Sequence, residues 1–175
     1  ILRATVALFE RSLEACRHDG VAGWERVTIE GLEELGELSV SVDPGLAVQA
    51  LTNIVRNAFE SMAQAGGEGH RMAFGAQRRR AANADGAVGG AVVLRISDTG
   101  AGISGEVMQR MFNPFFTTRA AGTGLGLAIV HRIIEAHGGR ITIKNRDGVR
   151  GAEAEVVFPE IAEDTDEVSI ERIPN

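Results

Sequence analysis

The chain has 175 residues, 44% hydrophobic and 24% charged, with 18 Lys and Arg against 24 Asp and Glu. That size and composition suit one domain with a real core, and a net charge of −6 argues against nucleic acid as its main partner. The single cysteine, Cys16, cannot close an internal disulfide, so a reducing cytosol is the expected compartment; no apolar run reaches membrane-spanning length and no signal peptide is visible.

Residues 2–15 read as a helix with Val6, Phe9, Leu13 and Cys16 on one apolar stripe, which makes Cys16 a packing residue rather than a nucleophile. His18-Asp-Gly ends it. Residues 24–30 and 38–42 read as strands. Asp43-Pro44 then looks like a helix N-cap with proline at the first helical position.

The next segment is Leu51-Thr-Asn53-Ile-Val-Arg-Asn57-Ala-Phe-Glu60-Ser-Met62. Wound as a helix at about 100° per residue, it places Asn53, Asn57 and Glu60 within an arc of roughly 60°. Leu51, Val55, Ala58 and Met62 cluster roughly 160° away. A solvated face ordinarily carries Lys and Glu, because Asn is a mediocre helix former. Amide oxygens at i and i+4 can instead hold a metal ion and orient a polar ligand, although two solvated Asn would give the same pattern.

After Gly66-Gly67, residues 71–78 read as a strand, and Arg78-Arg-Arg80 with the glycine-rich residues 83–90 as a solvated hairpin tip, with a docking patch the alternative for the arginines. Residues 91–97 form a buried strand that ends on Asp98, followed by Gly100 and Gly102. The glycines let the backbone turn and approach a flat ligand, and a lone carboxylate there can accept a charge-assisted hydrogen bond from an exocyclic amine such as N6 of adenine. Asp-Thr-Gly is also ordinary turn chemistry.

Further on, Gly122-Thr-Gly124-Leu-Gly126 feeds directly into an apolar helix with Ile129, Val130, Ile133 and Ile134, stopped by Gly138-Gly139. Free N–H groups and a positive dipole end there suit an anion, with phosphate the natural candidate. The spacing fits neither a Walker A loop nor a Rossmann fingerprint. Residues 140–144 and 152–158 flank Asp147-Gly148, a strong hairpin signal. Residues 1–159 form the expected domain, and residues 160–175 an acidic, loosely ordered tail. The element order predicts an α/β, two-layer sandwich, a mixed and mostly antiparallel sheet with helices on one face.

Taken together and in register, these segments resemble the ATP-binding catalytic domain of sensor histidine kinases, in the GHKL superfamily with its Bergerat fold. Asn53-Ile-Val-Arg-Asn57-Ala is similar to the N box, Asp98-Thr-Gly-Ala-Gly102 to G1, Phe112-Asn-Pro-Phe-Phe-Thr-Thr118 to the F box and Gly122-Thr-Gly-Leu-Gly126-Leu to G2. The segment 151–159 resembles a weak G3 strand, and the F box resembles the nitrogen-regulatory subgroup.

The resemblance implies ATP and Mg²⁺ as ligands. Asn57 supplies an oxygen to Mg²⁺ and Asn53 helps position it; Asp98 reads adenine in a pocket shaped by Gly100, Gly102 and Ile103. Thr117, Thr118, Gly122, Thr123, Gly124, Leu125, Gly126 and Leu127 belong to the lid and phosphate cradle. Arg119 is the candidate for steadying γ-phosphate charge, and Glu60 for orienting the acceptor or the metal's waters. Phe112, Phe115 and Phe116 anchor the lid by packing.

The family carries its phosphoacceptor histidine on a separate helical hairpin, followed by an acidic residue and a Pro-Leu pair. None of His18, His70, His131 or His137 has that context. The expected partners are therefore a dimerisation and phosphoacceptor domain outside this sequence and a response-regulator receiver domain, with no nucleic acid and no membrane contact. The chain begins with Ile, which suits a fragment of a longer, cytosolic or membrane-anchored protein, and a monomer is expected in isolation. Three other readings stay in view. An ATPase of the gyrase, chaperone or mismatch-repair kind would have a Glu general base where Asn53 stands and no F box. An anti-sigma type protein-serine kinase shares the N, G1 and G2 boxes, and a nucleotide-binding interaction module would need no acceptor at all.

Overall fold

The computed structural model describes residues 2–3, 5–21, 24–33, 38–40, 42–82, 88–118 and 122–160. Helix α1, Thr5–His18, buries Leu8, Phe9, Leu13 and Cys16. Burial pushes the Cys16 thiol up to about 11, which agrees with a packing role. Leu2 and Arg3, expected in this helix, are not helical. A two-residue strand β1, Leu2–Arg3, pairs antiparallel with β3, Ser39–Val40, apart from the main sheet. Helical periodicity begins only where a side chain reaches the core, so it could not reveal that pairing. The expected strand at 24–30 is likewise shorter: Trp24–Arg26 is a 3₁₀ turn and β2 is Val27–Glu30.

The main sheet has five strands. β4, His70–Ala82, and β5, Val88–Asp98, form its long central hairpin, and β6, Arg140–Asn145, and β7, Ala152–Pro159, form a second. The order is β2-β4-β5-β7-β6, with β2 and β4 parallel and the other pairs antiparallel. In this register Phe74, Ile96 and Ala154 lie side by side, as do Ala76, Leu94 and Val156. These rows join α1, α2 (Pro44–Ala65) and α4 (Gly126–Ala136) in one hydrophobic core, giving the expected two-layer sandwich.

The arginine triplet is not a hairpin tip, because β4 continues to residue 82. Arg78 and Arg79, on alternate sides of the strand, find carboxylates. Arg78 pairs with Glu160 at 2.9 Å, and Arg79 pairs with Glu155, which Arg95 also grips at 2.9 Å. The chain at Glu160 is further held by a bond from its N–H to the Gly90 carbonyl, 2.9 Å. The tip at 83–87 and the tail from 161 onward lie outside the described residues, as does Arg119.

Helix α2 starts as its sequence predicts. Asp43 accepts from the Leu46 N–H at 2.9 Å, Pro44 follows, and Gly66 ends the helix at a φ of 65°. Leu51, Val55, Ala58 and Met62 are buried, while Asn53, Asn57 and Glu60 are half-buried on the other side. His137 ties the end of α4 to this cap. Its Nε2 accepts from the Asp43 N–H at 3.0 Å, so Nδ1 carries the hydrogen donated to the Ile133 carbonyl at 2.7 Å. A short helix α3, Gly105–Arg110, capped by Ser104, adds to the expected elements; six residues are too few to show a period in the sequence.

Candidate functional site

Between α2, α3 and the two glycine-bearing loops runs a cleft of two joined lobes, about 340 Å³ and about 180 Å³. Asn57, Val107, Met111, Thr118 and Leu127 line both. The larger lobe is lined by Gly126 and Leu127 where α4 begins, and the smaller lobe reaches the core residues Ile54, Ala58, Ile96 and Ala154.

The smaller lobe is built around Asp98, the last residue of β5 and only 6% exposed. Burial raises its carboxyl above the usual range, while the Gly100 and Ala152 N–H groups, Arg146 and His70 favour the ionised form. The N–H groups of Gly100 (2.7 Å) and Ala152 (3.4 Å) both donate to Oδ1. That leaves Oδ2 to meet a ligand's donor.

The loop 99–104 after Asp98 has no regular structure, and side chains from distant elements hold it. Ser61 Oγ on α2 accepts from the Ala101 N–H at 3.2 Å. Thr99 Oγ1 accepts from the Arg71 N–H at 2.9 Å and lies 3.2 Å from His70 Nδ1. Asn145, at the end of β6, accepts from the Ile103 N–H at 2.7 Å and donates to the Ile103 carbonyl at 2.8 Å. Arg146 donates to the Asp98 carbonyl at 3.1 Å. The approach of the second hairpin is close enough to demand glycine: a Cβ on Gly151 would lie 1.9 Å from the Asp98 carbonyl oxygen, at a φ of 114°.

The larger lobe brings the paired amides against the second glycine loop. Asn53 Nδ2 donates to the Gln49 carbonyl at 3.1 Å, and its Oδ1 faces Gly126, where a Cβ would sit at 3.4 Å. Gly124, with φ 67°, passes so near Phe115 that a Cβ would lie 2.4 Å from the Phe115 carbonyl carbon. Helix α4 therefore points its N-terminal amides into the lobe from a loop that only glycine can form.

The three phenylalanines divide their work. Phe112 packs on His131 with ring centroids 5.1 Å apart, and Phe116 lies under Arg110 at 4.6 Å. Phe115 does not pack by its side chain, which is 76% exposed at a φ of 64°; its backbone, held against Gly124, is the anchor.

Of the residues singled out from the sequence, Asn53, Asn57, Glu60, Asp98, Gly102, Ile103, Thr117, Thr118, Gly122, Thr123, Gly124, Gly126 and Leu127 line the cleft. Gly100 and Leu125 do not line it. Gly100 sits against Ser61, and Leu125 precedes α4 with its N–H 3.4 Å from Thr123 Oγ1. Sequence reasoning missed Arg56, Ser61, Asn145 and Arg146. Arg56 could have been found, since it shares the Asn53 side of the helix. Among the described residues lining the larger lobe it is the one cation, and it also pairs with Asp19. Ser61 follows Asn57 by one turn, whereas Asn145 and Arg146 precede an Asp-Gly turn and look like turn residues.

Among the described residues no three His, Cys, Asp or Glu gather into a metal cluster. A hard divalent cation held mainly by phosphates needs only one or two protein oxygens. The amide of Asn57, lining both lobes, suits that demand. No described helix is long and apolar enough to cross a membrane.

Known proteins resemble this chain in sequence and in fold. A family model described as histidine kinase-, DNA gyrase B-, and HSP90-like ATPase matches residues 42–162. Sensor histidine kinase ZraS of Salmonella typhimurium is 35% identical over 127 residues, 73% of this chain and 24% of that protein. Nitrogen regulation protein NtrY of Azorhizobium caulinodans is 41% identical over 114 residues, 63% of this chain and 14% of that protein. The solved, nucleotide-free catalytic domain of histidine kinase ThkA superposes with a TM-score of 0.68 at 25% identity, covering 91% of this chain and 97% of that one. The chain thus spans about a quarter of the length of ZraS.

Proposed function

The chain belongs to the family of histidine kinase-, DNA gyrase B- and HSP90-like ATPases, and we propose that it is the nucleotide-binding catalytic domain of a sensor histidine kinase that uses Mg-ATP to phosphorylate a histidine on another domain. One observation carries this reading. A single cleft has a buried carboxylate at one end and, at the other, paired amides facing a glycine loop at a helix N-terminus.

Asp98 Oδ2 accepts the adenine amine, and Gly100, Gly102 and Ile103 shape the wall around the base. The phosphates lie toward Gly122, Thr123, Gly124, Leu125 and Gly126, with Thr117 and Thr118 at the lid's base. The Asn57 amide would hold Mg²⁺, which when bound would supply positive charge against the phosphates. Asn53 would help position that cation, and Glu60 would orient the acceptor or the cation's waters. Arg119 on the lid keeps its assignment to the γ-phosphate on sequence grounds.

In the transfer itself, the bond from the γ-phosphorus to its bridging oxygen breaks, ADP leaves, and a phosphorus–nitrogen bond forms on an imidazole. That imidazole comes from a dimerisation and phosphoacceptor domain of the longer protein, which passes the phosphoryl group to a response-regulator receiver. His70 and His137 have both ring nitrogens engaged, and His131 pairs with Glu135 at 3.0 Å. His18 is exposed but lies at a helix end without an acceptor's neighbours.

Calorimetric titration with ATP, with and without Mg²⁺, tests the reading. Binding in the micromolar to millimolar range, about −8 to −4 kcal/mol, is expected. It should be lost in Asp98→Ala and lose its Mg²⁺ dependence in Asn57→Ala. An unmutated chain that ignores ATP would overturn the proposal. So would acid-labile phosphate appearing on the isolated chain, because it would place the acceptor here.

A further inference from the structure

The loop that forms one wall of the smaller lobe, residues 99–104, is not held in place by its own backbone. Its backbone is secured by side chains from elsewhere, and one of these has a geometry unlike the rest. Asn145 engages both polar groups of a single peptide residue, accepting from the Ile103 N–H at 2.7 Å and donating to the Ile103 carbonyl at 2.8 Å. Its amide thus acts as one rung of a strand that the loop itself lacks. Gly102, at φ 77°, makes room for it, since a Cβ there would lie 2.9 Å from Asn145 Oδ1. Ile103, fixed in this way, lines the same lobe as Asp98.

The hairpin carrying Asn145 grips the carboxylate as well. The next residue, Arg146, donates to the Asp98 carbonyl and favours the carboxylate's ionised form. Across the turn, the Ala152 N–H donates to Asp98 Oδ1. The β6–β7 hairpin is thus the outside element that contacts both Asp98 and Ile103, two residues that line the smaller lobe.

We propose that Asn145 is a positioning residue for nucleobase selection: by clamping Ile103 to the β6–β7 hairpin it holds the loop wall at the spacing at which Asp98 distinguishes a 6-amino purine from a 6-oxo purine. This rests on the nucleotide-binding reading of the cleft and adds to it a determinant outside the four motifs. Asn145 acts through Ile103 and touches no ligand. Without the clamp the loop backs away, the base seats loosely, and the purine's amino group is no longer presented squarely to Oδ2. A 6-oxo group in that place meets the carboxylate with its own lone pairs, so discrimination depends on a close fit.

The test measures ADP, ATP and inosine diphosphate binding by calorimetry in the unmutated chain, Asn145→Ala and Asn145→Asp, with thermal unfolding of each. Asn145→Asp keeps an acceptor for the Ile103 N–H while opposing its carbonyl, and serves if the alanine variant fails to fold. We expect ADP affinity to fall about ten-fold in the variants, with inosine diphosphate changing much less, so that the ratio between them shrinks. The gain in affinity from ADP to ATP, made in the other lobe, should stay as it was. Equal losses for both nucleotides with the ratio preserved would refute the proposal, since that is what a purely structural asparagine gives. Unchanged ADP affinity would refute it too, as would an unmutated chain without preference between the two bases. An unmutated chain that binds neither nucleotide removes the nucleotide reading along with the proposal, an outcome distinct from the other three.

Discussion

Replacing Asp98 by asparagine separates recognition from stability, and the structure sets the expected sign of each. Both donors to Asp98, the N–H groups of Gly100 and Ala152, meet Oδ1. The side-chain amide introduced by Asp98→Asn must keep its oxygen on those donors, which forces its NH₂ group into the place of Oδ2. That puts a donor against the donor of the adenine amine. A hydrogen bond to a charged acceptor contributes about 1.5–3 kcal/mol, so ADP affinity should fall about ten- to hundred-fold.

Stability should move the other way. Burial raises the folded pKa of Asp98. A carboxyl whose folded pKa lies above its unfolded one stabilises the fold below the unfolded value, and that contribution is lost as pH rises through the folded value. At neutral pH the ionised Asp98 therefore costs stability, and Asp98→Asn should unfold at or above the temperature of the unmutated chain, the difference closing in acid. Titration calorimetry and thermal unfolding, run on both proteins at neutral and mildly acid pH, measure the two effects. If Asp98→Asn binds ADP as well as the unmutated chain, Asp98 does not read the base. If it loses stability together with binding, Asp98 is a structural residue.

Gly151→Ala should be among the costliest changes to a small residue, because its Cβ would lie 1.9 Å from the Asp98 carbonyl oxygen at a φ of 114°; a loss of about 2–4 kcal/mol on denaturant unfolding is expected. Burial works against the charge of Glu155, but Arg95 and Arg79 outweigh it and hold the carboxyl below its usual range. Its contribution is therefore present above the unfolded pKa and lost as pH falls through the folded one. Glu155→Gln should destabilise the chain by about 1 kcal/mol at neutral pH and flatten the acid side of its stability profile, read by thermal unfolding across pH. Arg56→Met removes the described cation of the larger lobe, so ATP affinity should fall more than ADP affinity, by about three-fold or more at low salt. Equal losses for both nucleotides would place Arg56 with Asp19 in packing alone.

What is legible in the sequence is what local chemistry imposes. Helix α2 is readable because Asp43-Pro44 caps it and because Leu51, Val55, Ala58 and Met62 repeat at helical spacing, which also turns Asn53 and Asn57 the other way. The glycines announce where backbone must bend or be approached, and Gly124 and Gly126 do so against Phe115 and Asn53. The β1–β3 pair, the 3₁₀ turn and α3 are not legible, since two to six residues carry no measurable period. Among the arginines, the lid position draws the eye to Arg119, while Arg56 hides within the most informative helix of the chain.

The sequence by itself determined the kinds of atoms the cleft would hold: a carboxylate after a buried strand, two amides one turn apart, and backbone N–H groups at a helix start. Only the tertiary structure decided how those atoms are held. Asp98 meets the Ala152 N–H from 54 residues away, and Ile103 meets Asn145 from 42. Contacts at that range depend on sheet order and register, which place β7 beside β5 and bring the end of β6 over the loop. Periodicity and capping act over a few residues and carry no information about which distant strand becomes a neighbour. The physical reason is that burial of the apolar rows on β5 and β7 selects the pairing, and the polar clamp on the loop follows from it.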